Sequence, residues 1–228
     1  MHFYIPITTV VAKSKTVFFC QSCGYESAKW LGKCPACGAW NTFAEEVLAK
    51  EEPPKNEWRQ ESARSKGVKA KTLDEVASSK DIRINTGDRE LNRVLGDGIV
   101  PGSLVLIGGE PGIGKSTLML QVGLQLKSLR TLYVSGEESE QQIKMRAERL
   151  GNSSPSFFVL TETNTKNIFL AIEAVEPQVV IIDSIQTLYS PVMESTAGSI
   201  GQVRQCAGEL MKFAKETNTP VFLIGHIT

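Results

Sequence analysis

A glycine-rich octapeptide at residues 109–116 constrains the fold of this chain more than any other stretch. Its sequence, Gly-Glu-Pro-Gly-Ile-Gly-Lys-Ser, matches the pattern G-x-x-x-x-G-K-[ST] in full. The glycines let backbone N–H groups approach phosphate oxygens without interference from a Cβ atom. The lysine of this pattern reaches the β- and γ-phosphates, and its serine hydroxyl can bind Mg²⁺. We therefore predict a nucleotide-binding loop (P-loop) made of Gly109, Glu110, Pro111, Gly112, Ile113, Gly114, Lys115, Ser116 and Thr117.

The segments on either side of the P-loop are those that the motif requires. Residues 103–107 form an apolar run typical of a buried strand, and residues 115–128 carry apolar side chains at helical spacing. A helix that begins at the loop points the positive end of its dipole at the phosphates. Strand-like and helix-like segments then alternate, which predicts an α/β core with a mostly parallel sheet. The later strand-like segments are residues 131–134, 157–160, 179–182 and 221–224.

Three acidic residues follow predicted strands and are candidates for the chemistry of this site. Asp183 ends an apolar strand, which is the arrangement of a Walker B carboxylate that holds Mg²⁺. A residue of this kind could also simply close a strand as a turn residue. Glu137 and Glu138 follow the strand at 131–134, where a carboxylate faces the ligand crevice and can activate water. They could instead be first-turn acids that stabilise the next helix through its dipole.

His226 follows the last predicted strand. It would face the nucleotide if that strand lies beside the P-loop strand, and a structural histidine is the alternative. We predict catalytic roles for at least one of the paired glutamates, with Glu137 ahead of Glu138, and include Lys115 and His226 among the candidates.

Four cysteines have the spacing of a tetrahedral metal site. They form two C-x₂-C pairs, Cys20 with Cys23 and Cys34 with Cys37. Four thiolates suit a structural Zn²⁺ site, because no position is left open for catalysis. A pair of disulfides or an iron–sulfur cluster is the alternative. The fifth cysteine, Cys206, falls in a predicted helix and is interpreted as a small buried apolar residue.

Charge and hydropathy exclude some classes of protein. The formal net charge is zero, so the whole chain has no electrostatic signature of nucleic-acid binding. Residues 1–72 carry an excess of basic residues, for which a solvated linker is a better explanation than phosphate contacts. No apolar run reaches the ~20 residues of a membrane span. Residues 3–12 lack the preceding Lys or Arg of a signal peptide, so we expect a cytoplasmic protein without membrane association.

The cysteine module joined to this P-loop core resembles the bacterial RadA/Sms family of DNA-repair ATPases, which are paralogues of the RecA recombinase. The resemblance covers about residues 13–228. It is carried by the segments Cys20–Ser27, Lys29–Thr42, Thr86–Gly87, Glu90–Leu91, Arg93–Leu95, Val100–Gly109, Ser135–Ser139 and Gly225–Thr228.

The resemblance implies a RecA-like ATPase core that is stimulated by DNA and processes branched recombination intermediates, through branch migration and extension of strand exchange. It places Glu137 at the catalytic glutamate. It places His226 at a sensor position, after a strand inserted between the P-loop and Walker B strands. The implied cofactors are ATP, Mg²⁺ and Zn²⁺. The implied partners are single-stranded and branched DNA, further copies in a homo-hexamer, a RecA-type recombinase and a replicative helicase.

The resemblance also suggests how the chain is organised. We predict an N-terminal extension at 1–12, a Cys₄ zinc-finger module at 13–44, a linker at 45–81 and a RecA-like core at 82–228. Family members continue beyond the last residue of this sequence, so we expect a C-terminally truncated core with weak or absent ATP hydrolysis. Two other functions stay open. One is a KaiC-type nucleotide-binding regulator, which shares the paired glutamates, and the other is a module that binds zinc and ATP without turnover.

Overall fold

The computed structural model describes residues 15–48, 72–75, 83–151, 153–193 and 195–226. The predicted N-terminal extension and most of the predicted linker lie outside the described residues. The chain divides near residue 76 into two compact units. The first unit carries the paired cysteines, and the second carries the P-loop.

The first unit contains a small antiparallel sheet. Its strands are β1 (Lys15–Cys20), β2 (Glu26–Ser27) and β3 (Phe43–Leu48), in the order β2-β1-β3. β3 pairs with β1 from Phe43 opposite Cys20 to Leu48 opposite Lys15. Residues 45–48 therefore belong to this sheet and not to a linker. This corrects the predicted boundary at residue 44, which overlooked β3 because its sequence, Phe-Ala-Glu-Glu-Val-Leu, does not alternate apolar and polar residues.

The second unit is built on a five-stranded parallel sheet in the order β4-β8-β7-β5-β6. The central strands β5 and β7 are buried at every position, as expected when helices cover both faces of a sheet. β8 lies between β4 and β7, so the implied strand insertion is confirmed. The five strands are β4 (Leu104–Gly109), β5 (Thr131–Ser135), β6 (Phe157–Thr161), β7 (Val179–Asp183) and β8 (Val221–His226).

Within the described ranges, five α-helices flank or precede these strands: α1 (Arg89–Val94), α2 (Lys115–Gln125), α3 (Glu140–Arg149), α4 (Thr165–Val175) and α5 (Ile200–Thr217). α3 begins with a capping box in which Ser139 and Gln142 satisfy each other's backbone N–H groups. The model also contains short 3₁₀ turns at Leu73–Glu75 and Ile185–Thr187. None of the helices in the described part of the chain is both long enough and apolar enough to cross a membrane.

Two apolar clusters lie on opposite faces of the parallel sheet. The alternation along β7 makes this clear, because Val180 and Ile182 belong to one cluster and Val179 and Ile181 to the other. The first cluster includes residues of α4 and α5, and the second includes residues of α2 and α3. The predicted α/β class with a parallel P-loop core is confirmed. Because all five strands run in one direction, the residues that follow them gather at one edge of the sheet.

Candidate nucleotide and metal sites

The P-loop connects the end of β4 to the first turn of α2. Gly112 has a φ of 82° and Gly114 a φ of 94°, both in the left-handed region that residues with a Cβ rarely adopt. A Cβ at either position would meet no atom within 4 Å, so the backbone conformation, rather than crowding, requires glycine here. Ile113, which lies between these two glycines, is 63% exposed, so the outer side of the loop faces solvent.

The ammonium group of Lys115 is folded back onto its own loop. Nζ donates to the carbonyl oxygen of Gly109 at 2.8 Å and to that of Glu110 at 2.7 Å. It also lies 3.3 Å from Nδ1 of His226. Since an ammonium group has only donors, Nδ1 is the acceptor in this contact. Anionic phosphate oxygens would be stronger acceptors than these carbonyl groups, so a bound triphosphate can draw Lys115 away from them.

Ser116 and Asp183 meet directly. The Ser116 hydroxyl donates to Oδ1 of Asp183 at 3.0 Å, and the carboxylate is almost fully buried at the end of β7. Hydroxyl and carboxylate oxygens are the hard ligands that Mg²⁺ prefers, so this pair fits the metal of a bound nucleotide. The carboxylate bonds to side chains of neighbouring elements and not to a local turn, which argues against the simpler interpretation of Asp183 as a turn residue.

The other carboxylate oxygen of Asp183 has a partner that the sequence did not reveal. Oδ2 accepts a hydrogen bond from the hydroxyl of Tyr133 at 2.5 Å. Tyr133 lies on β5 and is fully buried, and its hydroxyl in turn accepts from Nη2 of Arg146 on α3 at 3.2 Å. A tyrosine within an apolar strand looks like a core residue. Only the adjacent pairing of β5 with β7 shows that its hydroxyl reaches the site.

Glu137 lies where the ends of β5, β7 and β8 meet. Its Oε1 accepts a hydrogen bond from the Ser184 hydroxyl at 2.6 Å and is 3.5 Å from Nε2 of His226. Because Nδ1 of His226 faces the Lys115 ammonium group, a neutral imidazole carries its proton on Nε2, toward Glu137. About half of the Glu137 side chain is exposed, so the carboxylate remains accessible to water and substrate.

Glu138 has different surroundings. Its Oε2 forms an ion pair with Nη2 of Arg146 at 2.7 Å, and the two side chains are only 33% and 15% exposed. α3 begins at Glu140, after the N-cap residue Ser139. Neither member of the predicted glutamate pair is therefore a first-turn acid of that helix. The two glutamates are therefore separated: Glu137 is about half exposed beside Ser184 and His226, and Glu138 is paired with Arg146.

A close approach fixes the backbone just before Glu137. A Cβ atom added to Gly136 would lie under 3.0 Å from side-chain atoms of both Thr187 and Thr163. Real Cβ atoms essentially never lie this close to other atoms, so any larger residue here would force its neighbours to shift. Sequence analysis gave Gly136 no role, although a glycine directly before a candidate catalytic residue is a signal of tight packing.

The four paired cysteines converge in the first unit. Their Sγ atoms all lie within 4.8 Å of one another, with Cys20 to Cys37 at 3.7 Å and Cys23 to Cys34 at 3.6 Å. A tetrahedral site with metal–sulfur bonds of about 2.3 Å has sulfur–sulfur edges of about 3.8 Å, so the donor set fits one Zn²⁺ ion. In each C-x₂-C turn, a backbone N–H four residues on donates to the carbonyl of the first cysteine.

The disulfide alternative is wrong, because all five cysteines are free. The shortest of these sulfur contacts is 3.6 Å, whereas a disulfide bond is about 2.05 Å long. Cys206 lies on α5 in the second unit, where it is fully buried, and burial raises the pKa of its thiol to about 12. It is a small buried core residue, as predicted, and the raised pKa keeps its thiol protonated. The metal site is therefore made by Cys20, Cys23, Cys34 and Cys37 alone.

Comparisons with known proteins agree with both units. A zinc-ribbon family model, described as a rubredoxin metal binding domain, matches residues 18–45. A model described as an AAA domain matches residues 69–228. The chain is 52% identical over 221 residues to the DNA repair protein RadA of Bacillus subtilis, and 49% identical over 219 residues to that of Listeria monocytogenes.

These matches cover nearly all of this chain but only part of each relative. They include 96% and 95% of this chain and 48% and 47% of the two relatives, so the chain spans about half the length of the proteins it matches. A relative from Halalkalibacterium halodurans, with the same name, is 50% identical over 226 residues. The zinc ribbon that accompanies the nucleotide-binding core favours this relationship over a KaiC-type regulator. The chain belongs to the RadA family of AAA-domain proteins.

Proposed function

We propose that this chain binds Mg-ATP in the P-loop and hydrolyses it to ADP and phosphate. The observation that carries this proposal is the convergence of three kinds of group at one edge of the parallel sheet. Lys115 supplies positive charge, the Ser116–Asp183 pair supplies metal ligands, and Glu137 supplies an accessible carboxylate. These are the parts that phosphoryl transfer to water requires.

Each group has a separate role in the proposed reaction. Lys115 leaves its loop carbonyls and neutralises the β- and γ-phosphate oxygens. Ser116 and Asp183 would hold the Mg²⁺ ion, which would neutralise further negative charge on the triphosphate. Glu137 orients the attacking water and accepts its proton. His226 lies between Lys115 and Glu137. Its contact with Lys115 would break when the lysine turns toward the nucleotide, so His226 would sense that movement.

We further propose that the ATPase serves DNA repair, stimulated by single-stranded or branched DNA. This part rests on the names of the relatives and on the family resemblance. On the same basis we propose branch migration and strand-exchange extension as the work done, a homo-hexameric ring as the assembly, and a RecA-type recombinase and a replicative helicase as partners. The five free cysteines suit a reducing compartment such as the cytoplasm.

The zinc ribbon is proposed as a structural element. All four ligands come from the chain, which leaves no coordination position for substrate. Cys20 and Cys34 are buried while Cys23 and Cys37 are exposed, so the ion would hold the two turns against the small core of this unit. Folding of the unit would then depend on the metal.

The test of the ATPase compares Glu137→Gln with Glu140→Gln, a matched change at an exposed acid three residues on. We expect Glu137→Gln to lower ATP turnover at least about 100-fold, since loss of a general base costs that much, while affinity for a fluorescent ATP analogue changes less than about twofold. Glu140→Gln should leave both unchanged. Phosphate release is measured with and without single-stranded DNA.

The outcomes separate the alternatives. Equal turnover by Glu137→Gln and the parent chain would refute the role of Glu137. Tight Mg-ATP binding without measurable turnover by the parent, in either condition, would instead support the module that binds zinc and ATP without hydrolysis. An increase in the ATP turnover of the parent chain on addition of DNA would show that this chain itself contacts DNA.

A further inference from the structure

A chain of hydrogen bonds links helix α3 to the proposed metal site. Arg146 donates to the hydroxyl oxygen of Tyr133, and Tyr133 donates to Oδ2 of Asp183. The opposite oxygen of the same carboxylate accepts from Ser116. We propose that Tyr133 and Arg146 are positioning residues that hold Asp183 ready for Mg²⁺, an inference that rests on the proposed ATP site.

The direction of these hydrogen bonds follows from the chemistry of the groups. A guanidinium group has donors and no acceptor, so the Tyr133 oxygen must accept from Arg146. A tyrosine hydroxyl has a single proton, which is therefore directed at Asp183. Arg146 thus determines which way the Tyr133 hydroxyl points. The Asp183 carboxylate receives a donor on each oxygen, and the two hydrogen bonds fix its orientation.

The burial of Tyr133 supports its role in positioning Asp183. Its side chain is fully buried, so the hydroxyl has no access to bulk water as an alternative partner. The packing of β5 therefore holds the hydroxyl donor beside the metal-binding carboxylate.

Glu138 completes the arrangement by balancing the charge of Arg146. The two groups form a 2.7 Å ion pair in which both side chains are more than half buried. Glu138 acts through Arg146 and Tyr133 on Asp183, whereas Glu137 faces the open site. The adjacent glutamates then have different tasks, and Glu138 is a positioning residue and not a second base.

The first test uses Tyr133→Phe, which removes only the hydroxyl and keeps the ring against Phe157. Binding of a fluorescent ATP analogue is measured in EDTA and during a Mg²⁺ titration. Loss of a residue that orients a metal ligand typically weakens metal binding 10-fold or more. We expect the Mg²⁺ concentration for half-maximal effect to rise about tenfold, while nucleotide affinity in EDTA stays within about twofold of the parent.

The second test changes the arginine. Arg146→Met should raise the Mg²⁺ midpoint in the same way, and Arg146→Lys, which keeps a charged donor, should recover part of the loss. Arg149→Met, an exposed position on the same helix, is the control and should leave the midpoint unchanged. Glu138→Gln should raise the midpoint, and Glu140→Gln, at an exposed acid, should not. Thermal unfolding in EDTA accompanies each measurement to establish that the variants are folded.

Three results would overturn the inference. The first is a folded Tyr133→Phe variant with the Mg²⁺ midpoint of the parent. The second is an equal loss of nucleotide affinity in EDTA and in Mg²⁺, because that pattern indicates a general structural role. The third is a parent chain that binds the nucleotide under neither condition, which refutes the proposed function itself and this inference with it. Normal binding in EDTA by the parent therefore distinguishes the two failures.

Discussion

The hydroxyl of Ser184 donates a 2.6 Å hydrogen bond to the carboxylate of Glu137. Ser184 is fully buried directly after β7, and Glu137 follows the end of the neighbouring strand β5. The bond therefore ties the candidate base to the same strand end that carries Asp183. An otherwise accessible carboxylate gains a fixed orientation from this single contact.

Ser184→Ala removes this contact and should lower ATP turnover about tenfold, with nucleotide affinity unchanged. A hydrogen bond to a charged group contributes about 1.5–3 kcal/mol, enough for an effect of this size. Steady-state phosphate release and titration with a fluorescent ATP analogue measure the two quantities. Ser128→Ala, at an exposed position, is the control. Unchanged turnover would mean that Glu137 is oriented without Ser184.

Lys115→Ala should reduce affinity for ATP at least about tenfold. The variant loses the charge-assisted hydrogen bonds to phosphate, and the alanine side chain has no donor to replace them. Equilibrium titration of the folded variant provides the measurement. Lys127→Ala removes an exposed lysine just beyond α2 and should bind like the parent. Equal affinities for both variants would exclude Lys115 from the phosphate site.

The cysteine site should contain about one zinc ion per chain by elemental analysis. Cys34→Ser should lower this content substantially and unfold the first unit, while nucleotide binding by the second is retained. Cys206→Ala, which alters a cysteine outside the cluster, should keep the zinc. Purified protein with less than a tenth of an equivalent of zinc, and no iron, would contradict the assignment.

Gly136→Ala should destabilise the chain and lower turnover, because its Cβ has no room beside Thr187 and Thr163. Overpacking of this kind costs about 1–3 kcal/mol. The matched control is Gly208→Ala on α5, where a Cβ meets nothing within 4 Å and helix propensity favours alanine. Thermal unfolding of the two variants provides the comparison. Similar melting temperatures would show that the 185–187 turn moves aside easily.

Local patterns were sufficient to predict the parallel core. The apolar runs of β4, β5, β6, β7 and β8 are short and near-continuous, which is typical of buried strands. Element boundaries that depend on strand pairing were harder to predict from the sequence. β3 is recognisable only from its register with β1.

The candidate site was predictable where one motif held the information. The P-loop and the paired cysteines are contiguous patterns, and Asp183 and Glu137 follow strands in a recognisable way. Tyr133 and Arg146 were not found, because each looks ordinary in its own element. Their relation to Asp183 arises only when β5 lies beside β7 and α3 packs nearby, which is a property of the tertiary fold.

The position of β8 has a consequence for synthesis on the ribosome. Among the described residues, β4 pairs with β8 alone, although more than a hundred residues separate these strands in the chain. Among the described elements, the P-loop strand therefore has no strand partner until β8 itself has been translated. His226 also lies on β8. The complete site therefore does not exist before this strand leaves the exit tunnel, and ATP bound to the complete site can stabilise the emerging polypeptide only after that point.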